Sequence, residues 1–160
     1  MKKAGKITLG EHVIVSDPSY QWDIWCNIHL DIKPGTYDCF VEKDKKNGRI
    51  SKLLVLHEQS EGKEDLIYES SAGVDSGQMG VFDMDYYMKN QPDDDFDNLK
   101  SWYRQICQLT LRDKGYGTKD KKCVVSRSGY GDGTYPVYCG RDKDGFITSI
   151  MIDYYNSYSF

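Results

Sequence analysis

Residues 36–57 read TYDCFVEKDKKNGRISKLLVLH, and this stretch decides the fold class. Tyr37, Cys39 and Val41 occupy every second position, which is the period of a β-strand. The Asn-Gly pair at 47–48 is a strong short hairpin signal, because both residue types accept positive φ. The apolar residues that follow it return as a second strand. The stretch therefore predicts an antiparallel β-hairpin.

Outside this hairpin, the chain shows many short strand patterns separated by turn residues. Gly10-Glu11 lies between two such patterns and indicates a type II′ hairpin, and Asp17-Pro18 fits the start of a type I turn. Turns at intervals of about 8–12 residues are typical of sandwiches and barrels. The sequence predicts a mainly β fold of the α+β kind, an antiparallel β-sandwich or open barrel of short strands. We expect one β-rich domain over residues 1–160.

One segment has a helical pattern. Phe96, Leu99 and Ile106 fall on one face of a helix, which predicts an amphipathic helix around residues 96–111. The aspartates at 93–95 are expected to cap its start, where a negative charge suits the helix dipole.

A short apolar segment lies between residues 22 and 29. It contains Trp22 and Trp25, and side chains of this size bury a large area when they enter a core. We expect a single helical turn or an irregular cover in which both tryptophans pack on the core.

The composition is that of a globular protein. Of the 160 residues, 39% are hydrophobic and 29% are charged, and the formal net charge is −4. A net negative charge argues against nucleic acid as the main partner, because phosphate binding needs a basic face. The cations between Lys43 and Lys52 are interpreted as a solvated hairpin tip rather than as a basic patch.

Compartment and redox state follow from two further patterns. No run approaches the ~18 apolar residues that cross a bilayer, and no apolar segment follows the basic first residues. We therefore expect no membrane association and a cytoplasmic protein. The five cysteines are odd in number and lack C-x-x-C spacing, so we expect reduced, buried thiols.

Residues 128–138 read SGYGDGTYPVY, with three glycines at alternating positions. Glycine lacks the Cβ that forbids positive φ, so this pattern predicts a special backbone geometry at the rim of a sheet. Phosphate-binding glycine loops lead into a helix, whereas this loop leads into a strand and lacks the Gly-Lys-Ser/Thr ending. The motif is therefore neither a P-loop nor a dinucleotide-binding turn.

No catalytic or metal-binding pattern accompanies this motif. Ser128 does not lie in a G-x-S-x-G elbow. Cys26 and His29 have a ligand-like spacing, but no second pair with such spacing follows. We predict no catalytic residue, no metal and no cofactor.

Polar residues in several turns form the candidate site. Asp17, Asp75 and Asp132 each lie beside Gly, Pro or Ser, where an aspartate commonly fixes its own turn by hydrogen bonds to backbone amides. Alternatively, these turns converge at one end of the sheet and line a polar, aromatic cleft. The candidate ligand-binding residues are Asp75, Ser76, Arg127, Ser128, Tyr130, Asp132 and Tyr135.

Several motifs occur in a fixed order along the chain, among them SDP at 16–18, PGTY at 34–37, GVDSG at 73–77 and SGYGDGTYPVY at 128–138. In these motifs the chain resembles a family of uncharacterised bacterial and phage proteins, domain-of-unknown-function family 4241. The resemblance touches most of the chain. It implies a shared fold and a shared loop geometry, and it assigns no catalytic role to any residue.

The sequence favours a non-catalytic binding protein over an enzyme. Such a protein would hold a small polar ligand, for example a nucleotide-like one, or a partner protein in a glycine- and tyrosine-rich cleft. Analogy suggests a role in conflict between phages and bacteria or against toxins. Two alternatives stay open: a hydrolase that uses Asp75 and Asp132 as acid and base, and a purely structural or accessory protein. The sequence leaves the oligomeric state open.

Overall fold

The structure is a computed structural model that describes residues 1–91 and 98–156. Within these residues, eleven strands form two antiparallel sheets that pack face to face, and two helices cover one of them. The predicted mainly β fold is confirmed, in the form of a sandwich.

The first sheet has six strands. They are β1 (Lys2–Leu9), β4 (Gly35–Lys43), β5 (Ile50–His57), β6 (Ile67–Val74), β10 (Gly133–Arg141) and β11 (Ile147–Asp153). Their order across the sheet is β1-β4-β5-β11-β10-β6, so β1 and β6 are its edges.

The second sheet has five strands. They are β2 (His12–Ser16), β3 (Ile28–Asp31), β7 (Gln78–Asp83), β8 (Tyr116–Lys119) and β9 (Cys123–Arg127). Their order is β3-β2-β7-β9-β8.

The hairpin predicted from residues 36–57 is confirmed, because β4 and β5 pair antiparallel along their length. Its connection, residues 44–49, is called the hairpin tip below. The Asp44 N–H donates to the Arg49 carbonyl and the Gly48 N–H donates to the Asp44 carbonyl, both at 2.8 Å. The turn is thus longer than the two-residue turn that the Asn-Gly pair suggests, and only its glycine adopts positive φ, at 74°.

The hairpin predicted at Gly10-Glu11 is wrong. β1 pairs with β4 in the first sheet, whereas β2 pairs with β3 and β7 in the second. Gly10 does not adopt positive φ, and its N–H donates to the Asp83 carboxylate at 2.8 Å. This connection therefore carries the chain from one sheet to the other. A two-residue signal marks a bend but does not determine which sheet the next strand joins.

A single apolar cluster fills the space between the sheets. The first sheet contributes fully buried residues such as Cys39, Val41 and Val55, and the second contributes Val15 and Val81. Burial of this apolar surface is the main favourable term in folding.

Two helices cover the outer face of the second sheet. They are α1 (Met84–Lys89) and α2 (Trp102–Leu111). Ile14, Phe82 and Val125 lie on this face, and they cluster with Tyr87 of α1 and Ile106 of α2. Because both faces of the second sheet are covered, every residue of β7 is buried. In the described part of the chain, neither helix is long and apolar enough to span a membrane.

The predicted helix begins later than expected, and α1 is a second helix beside the single one predicted. α2 starts at Trp102, and the Ser101 hydroxyl caps it by accepting a hydrogen bond from the Arg104 N–H at 3.2 Å. Leu99 lies before the helix and is 65% exposed. The expected start at 93–96 lies outside the described residues. The helical spacing of apolar residues in the sequence therefore extends to residues that precede Ser101, although the helix itself begins only after this cap.

The expectation that both tryptophans pack on the core is wrong. Trp25 is 79% exposed and Trp22 is 37% exposed. The β2–β3 connection that carries them leads to an edge strand, so it lies beside the layers rather than between them. Trp22 stacks on His29 instead, with ring centroids 6.1 Å apart.

All five cysteines are free thiols, and four of them are buried while Cys107 is half-buried. Burial raises the pKa of Cys39, Cys123 and Cys139 to about 12. A thiol that stays protonated is a poor nucleophile, so these cysteines serve packing, as predicted.

Candidate functional site

Residues 128–132 form the glycine loop, which carries the chain from β9 in the second sheet to β10 in the first. Gly129 has φ +59°, and a Cβ at this position would lie 3.1 Å from the Cβ of Tyr154. The Ser128 N–H donates to the Gly77 carbonyl at 3.0 Å. The special backbone geometry predicted from the glycine motif is confirmed, because this close approach requires a residue without a side chain.

Two side chains of the predicted site hold the glycine loop from inside. Ser128 is buried, and its hydroxyl donates to the Gly131 carbonyl at 2.8 Å. Tyr135 is also buried, and its hydroxyl donates to the Ser128 carbonyl at 3.1 Å. Burial raises the pKa of Tyr135, so its hydroxyl keeps the proton that it donates. These two buried residues shape the loop from beneath, and their roles in ligand binding stay predictions.

A buried carboxylate fixes the neighbouring turn at 75–77. Asp17 is fully buried and accepts the N–H groups of Asp75 and Ser76, both at 2.7 Å. It also accepts the Ser76 hydroxyl and the Ser19 N–H, again at 2.7 Å. For Asp17 the turn-fixing interpretation is confirmed, and Ser76 belongs to this scaffold.

Asp75 and Asp132 lie at the same end of the first sheet. Gly133 pairs with Val74, so Asp75, which follows β6, and Asp132, which precedes β10, lie beside neighbouring strand ends. Both are exposed, and Asp75 accepts the Tyr20 hydroxyl at 2.9 Å. Within the described part of the chain, no group donates a hydrogen bond to the Asp132 carboxylate. The turns at 75–77 and 128–132 thus lie at one edge of the first sheet, whereas a ligand-binding cleft between them and an acid–base role for the two carboxylates stay predictions.

An exposed stack joins the glycine loop to the hairpin tip. Tyr130 is 67% exposed, and its ring centroid lies 4.5 Å from the guanidinium carbon of Arg49. The Tyr155 ring stacks on it at 5.4 Å and 29°. Asn47 Nδ2 donates to the Tyr130 hydroxyl, and Arg49 Nη1 donates to the Gly129 carbonyl, both at 3.2 Å.

A hollow of about 310 Å³ lies where the hairpin tip, the glycine loop and the segment after α2 meet. We call it the smaller hollow. Three cations line it, namely Arg49, Lys114 and Arg127. Of the described residues that line it, only Asp113 is acidic. Of the predicted site residues, Arg127 is thus the one that reaches this hollow.

Backbone carbonyls hold the Arg127 guanidinium in place. Its Nε donates to the Thr110 carbonyl at 2.6 Å, and its Nη2 donates to the Arg112 carbonyl at 3.0 Å. A guanidinium has five N–H groups, so these two hydrogen bonds fix its orientation and leave its other N–H groups able to donate to a ligand.

Cations also crowd around Tyr116. The Nζ atoms of Lys43 and Lys114 lie 5.6 and 5.3 Å from its ring centroid. Partial burial and the nearby charges of Lys2 and Arg127 lower the pKa of Lys43, so the ammonium form is disfavoured there. Among the described residues, no ion pair involves any of five cations at this end of the molecule, namely Lys2, Lys43, Arg49, Lys114 and Arg127.

Sequence reasoning missed Arg49, Lys43, Lys114 and Tyr155 as parts of the site. The signal for Arg49 and Lys43 was visible in the run of cations from Lys43 to Lys52, which was interpreted as solvated. Nothing local in the sequence shows that Lys114 and Arg127 approach that tip from the second sheet.

The chain matches the model of a family described as protein of unknown function (DUF4241) over residues 58–152, more than half of its length. The matched range includes the glycine loop, whereas the hairpin tip precedes it. No curated protein and no solved structure matches the chain. The predicted family resemblance is confirmed, and the family description names no activity.

Proposed function

The chain belongs to the DUF4241 family, and from the geometry of its loop end we propose that it binds a small anionic ligand with a planar part, such as a nucleotide, in the smaller hollow.

One observation carries this proposal. Arg49, Lys114 and Arg127 converge on the smaller hollow, and among the described residues none of them has an ion-pair partner. Like charges held together repel, and the repulsion is stronger where water is partly excluded. An anion in the hollow would remove this repulsion.

The donor types fit phosphate. The planar forks of Arg49 and Arg127 can each donate two parallel hydrogen bonds to phosphate oxygens, and Lys114 adds a mobile point charge. The Arg49 guanidinium already stacks on Tyr130 with one face. A planar group such as a nucleobase can take the other face of a guanidinium, which suits a ligand with both a phosphate and a ring.

Size and polarity limit the ligand further. A volume of about 310 Å³ is at the lower end of the range of ~300–1,000 Å³ for small-molecule sites. Asp113 offers an acceptor for a sugar hydroxyl or an exocyclic amino group, and it would repel a second anionic group placed beside it.

In the cell, the proposed role is that of a cytoplasmic, non-catalytic protein that holds such a ligand during conflict between phages and bacteria. The five free thiols suit the reducing conditions of the cytoplasm. The conflict role rests on analogy with other small binding proteins.

A partner protein is the second candidate. β6 is an edge strand of the first sheet, and Ile67 and Tyr68 on it are more than half exposed. Exposed edge strands can add a strand from another chain. If this is the function, Ile67→Lys removes capture of one defined partner, whereas Lys114→Gln does not.

Calorimetry with three probes tests the ligand proposal. We expect thymidine monophosphate and pyrophosphate to bind and uncharged thymidine to bind at least about tenfold more weakly. Lys114→Gln should weaken thymidine monophosphate by about tenfold. Lys143→Gln is the matched control, because it removes the same charge from an exposed turn at the opposite end of β11.

Two results would contradict the proposal. One is equal affinity for thymidine and its monophosphate, which would leave the cations without a role. The other is an equal loss in both lysine variants, which would show a general effect of net charge rather than a site.

A further inference from the structure

We propose that the ligand is a single-stranded oligonucleotide, which runs from the smaller hollow across the exposed stack into a second hollow beyond the hairpin tip. This inference rests on the proposed function and extends it from one nucleotide to several.

The second hollow, here the larger hollow, has a volume of about 890 Å³. It lies where the start of β1 meets the ends of β4 and β11 and the start of β5. The cations that line it are Lys2, Lys43, Lys45 and Lys52. Among the described residues none of them forms an ion pair, so unpaired cations line the larger hollow as they line the smaller one.

Three carboxylates also line the larger hollow, and each has an internal partner. Asp44 accepts the Tyr155 hydroxyl at 2.8 Å, and Glu42 accepts the Ser51 hydroxyl at 3.3 Å. Asp153 accepts the Tyr155 N–H at 3.0 Å. The contact with Asp44 holds the Tyr155 ring at the rim, where that ring forms part of the wall.

The stack connects the two hollows. Arg49 lines the smaller hollow, Tyr155 lines the larger one, and Tyr130 contacts both of them. The hairpin tip separates the hollows, since Asp44 faces the larger and Gly48 the smaller. A stack of three planar groups with cations on both sides therefore links the two hollows.

This arrangement matches a single strand better than one nucleotide or a duplex. Single-strand sites combine cations that follow the phosphates with aromatic rings on which successive bases stack. One nucleotide leaves the cations of the larger hollow unengaged, and a duplex keeps its bases paired and away from the stack. The net charge of −4 confines the attraction to this end of the molecule.

Fluorescence anisotropy with labelled dT8 and rU8, beside calorimetry with thymidine monophosphate, tests the inference. We expect dT8 or rU8 to bind at least about tenfold more tightly than the monophosphate at low salt. With about three phosphates engaged, the logarithm of the association constant should fall with the logarithm of salt at a slope of about −2. The oligomer that binds more tightly shows whether the natural ligand is DNA or RNA.

Variants separate the larger hollow from the smaller one. Lys45→Gln/Lys52→Gln should weaken dT8 by about tenfold, make the salt slope shallower by about 1 and leave the monophosphate within about twofold. Lys63→Gln/Lys143→Gln removes the same charge from loops at the opposite ends of β5 and β11 and should change neither ligand. Tyr155→Ala should weaken dT8, and Tyr155→Phe should weaken it less, because the ring that stacks remains although its contact with Asp44 is lost.

Each failure has its own meaning. If the monophosphate binds and neither oligomer binds more tightly, the oligonucleotide inference is wrong and the proposed function stands. If neither the monophosphate nor an oligomer binds, both are wrong. If an oligomer binds tightly and neither Lys45→Gln/Lys52→Gln nor Tyr155→Ala weakens its binding, the strand does not cross the hairpin tip as proposed. A duplex of eight base pairs that binds as tightly as dT8 overturns the role of stacking.

Discussion

Strands β1 and β4 carry lysines that form ion pairs in their middle and lysines that form none at one end. Lys3 and Lys6 of β1 both contact Asp38 of β4, at 3.1 and 3.3 Å. Lys2 of β1 and Lys43 of β4 form no ion pair within the described residues. Register decides the difference, because Lys6 lies opposite Asp38 whereas Lys2 lies opposite Val41.

The pKa is lowered in both regions, but the shift favours the charged form of the group in one region and disfavours it in the other. Burial opposes the charge of Asp38, but the two ammonium groups outweigh it and lower the pKa of Asp38, so its charged form is favoured. Burial and neighbouring cations lower the pKa of Lys43, so its charged form is disfavoured. Paired cations contribute to the fold itself. The unpaired cations have no such partner among the described residues, which is why the loop end is the candidate site.

The largest expected effect comes from removing the buried carboxylate that fixes the turn at 75–77, to which the glycine loop is hydrogen-bonded. Asp17→Ala leaves three backbone N–H groups and the Ser76 hydroxyl without their acceptor. We expect the free energy of unfolding to fall by about 3–5 kcal/mol, measured by urea denaturation. Asp144→Asn, at an exposed position, is the control and should stay within about 0.5 kcal/mol. Equal effects of the two substitutions would show that the Asp17 network does not hold the loop end together.

The second effect tests the close approach of the glycine loop to the chain after β11. Gly129→Ala places a methyl group 3.1 Å from the Cβ of Tyr154 at a φ of +59°. We expect a loss of about 2–4 kcal/mol in urea denaturation, from backbone strain and overpacking together.

Gly77→Ala is the matched control for that prediction. Gly77 has φ +71°, and nothing lies within 4 Å of its added Cβ, so only the backbone cost of about 1–2 kcal/mol remains. A loss at Gly129 no larger than at Gly77 would contradict the role assigned to the Tyr154 contact.

Local geometry was predictable from the sequence where neighbouring residues determine it. The β4–β5 hairpin follows from alternation and turn residues, and the glycine loop follows from three glycines whose backbone must bend. The predictions at Gly10-Glu11 and at the start of α2 were wrong, because sheet partners and helix starts depend on the rest of the fold.

The candidate site was predictable only in part, for a related reason. The sequence indicated Arg127 and Tyr130, which belong to the motif itself. Arg49 and Lys114 come from other segments, and their shared hollow exists only when the two sheets pack. Whether a lysine is paired depends on the residue opposite it in the register, and a single sequence does not show this.

The third effect concerns Lys43 and sharpens the contrast in charge. Lys2→Gln removes one of the charges that lower the pKa of Lys43, so that pKa should rise. The oligonucleotide dT8 should raise it further, because Lys43 lines the larger hollow and a phosphate there would stabilise the ammonium form. NMR titration of the lysine Cε signals measures both changes, and Lys143 serves as the internal reference. A Lys43 pKa that is the same with and without dT8 would contradict phosphate binding in the larger hollow.

The smallest effect lies in the paired region and depends on pH. The lowered pKa of Asp38 means that its carboxylate stabilises the fold above the ordinary pKa of 3.8, and that this contribution is lost as pH falls through the lower folded value. Asp38→Asn should therefore cost about 0–1 kcal/mol near neutral pH, since Lys3 and Lys6 are more than half exposed. Urea denaturation near pH 7 and near pH 2 measures the difference, which should vanish at the lower pH. A difference that persists in acid would mean that Asp38 acts through packing or neutral hydrogen bonds, and the contrast between paired and unpaired cations would lose one of its two sides.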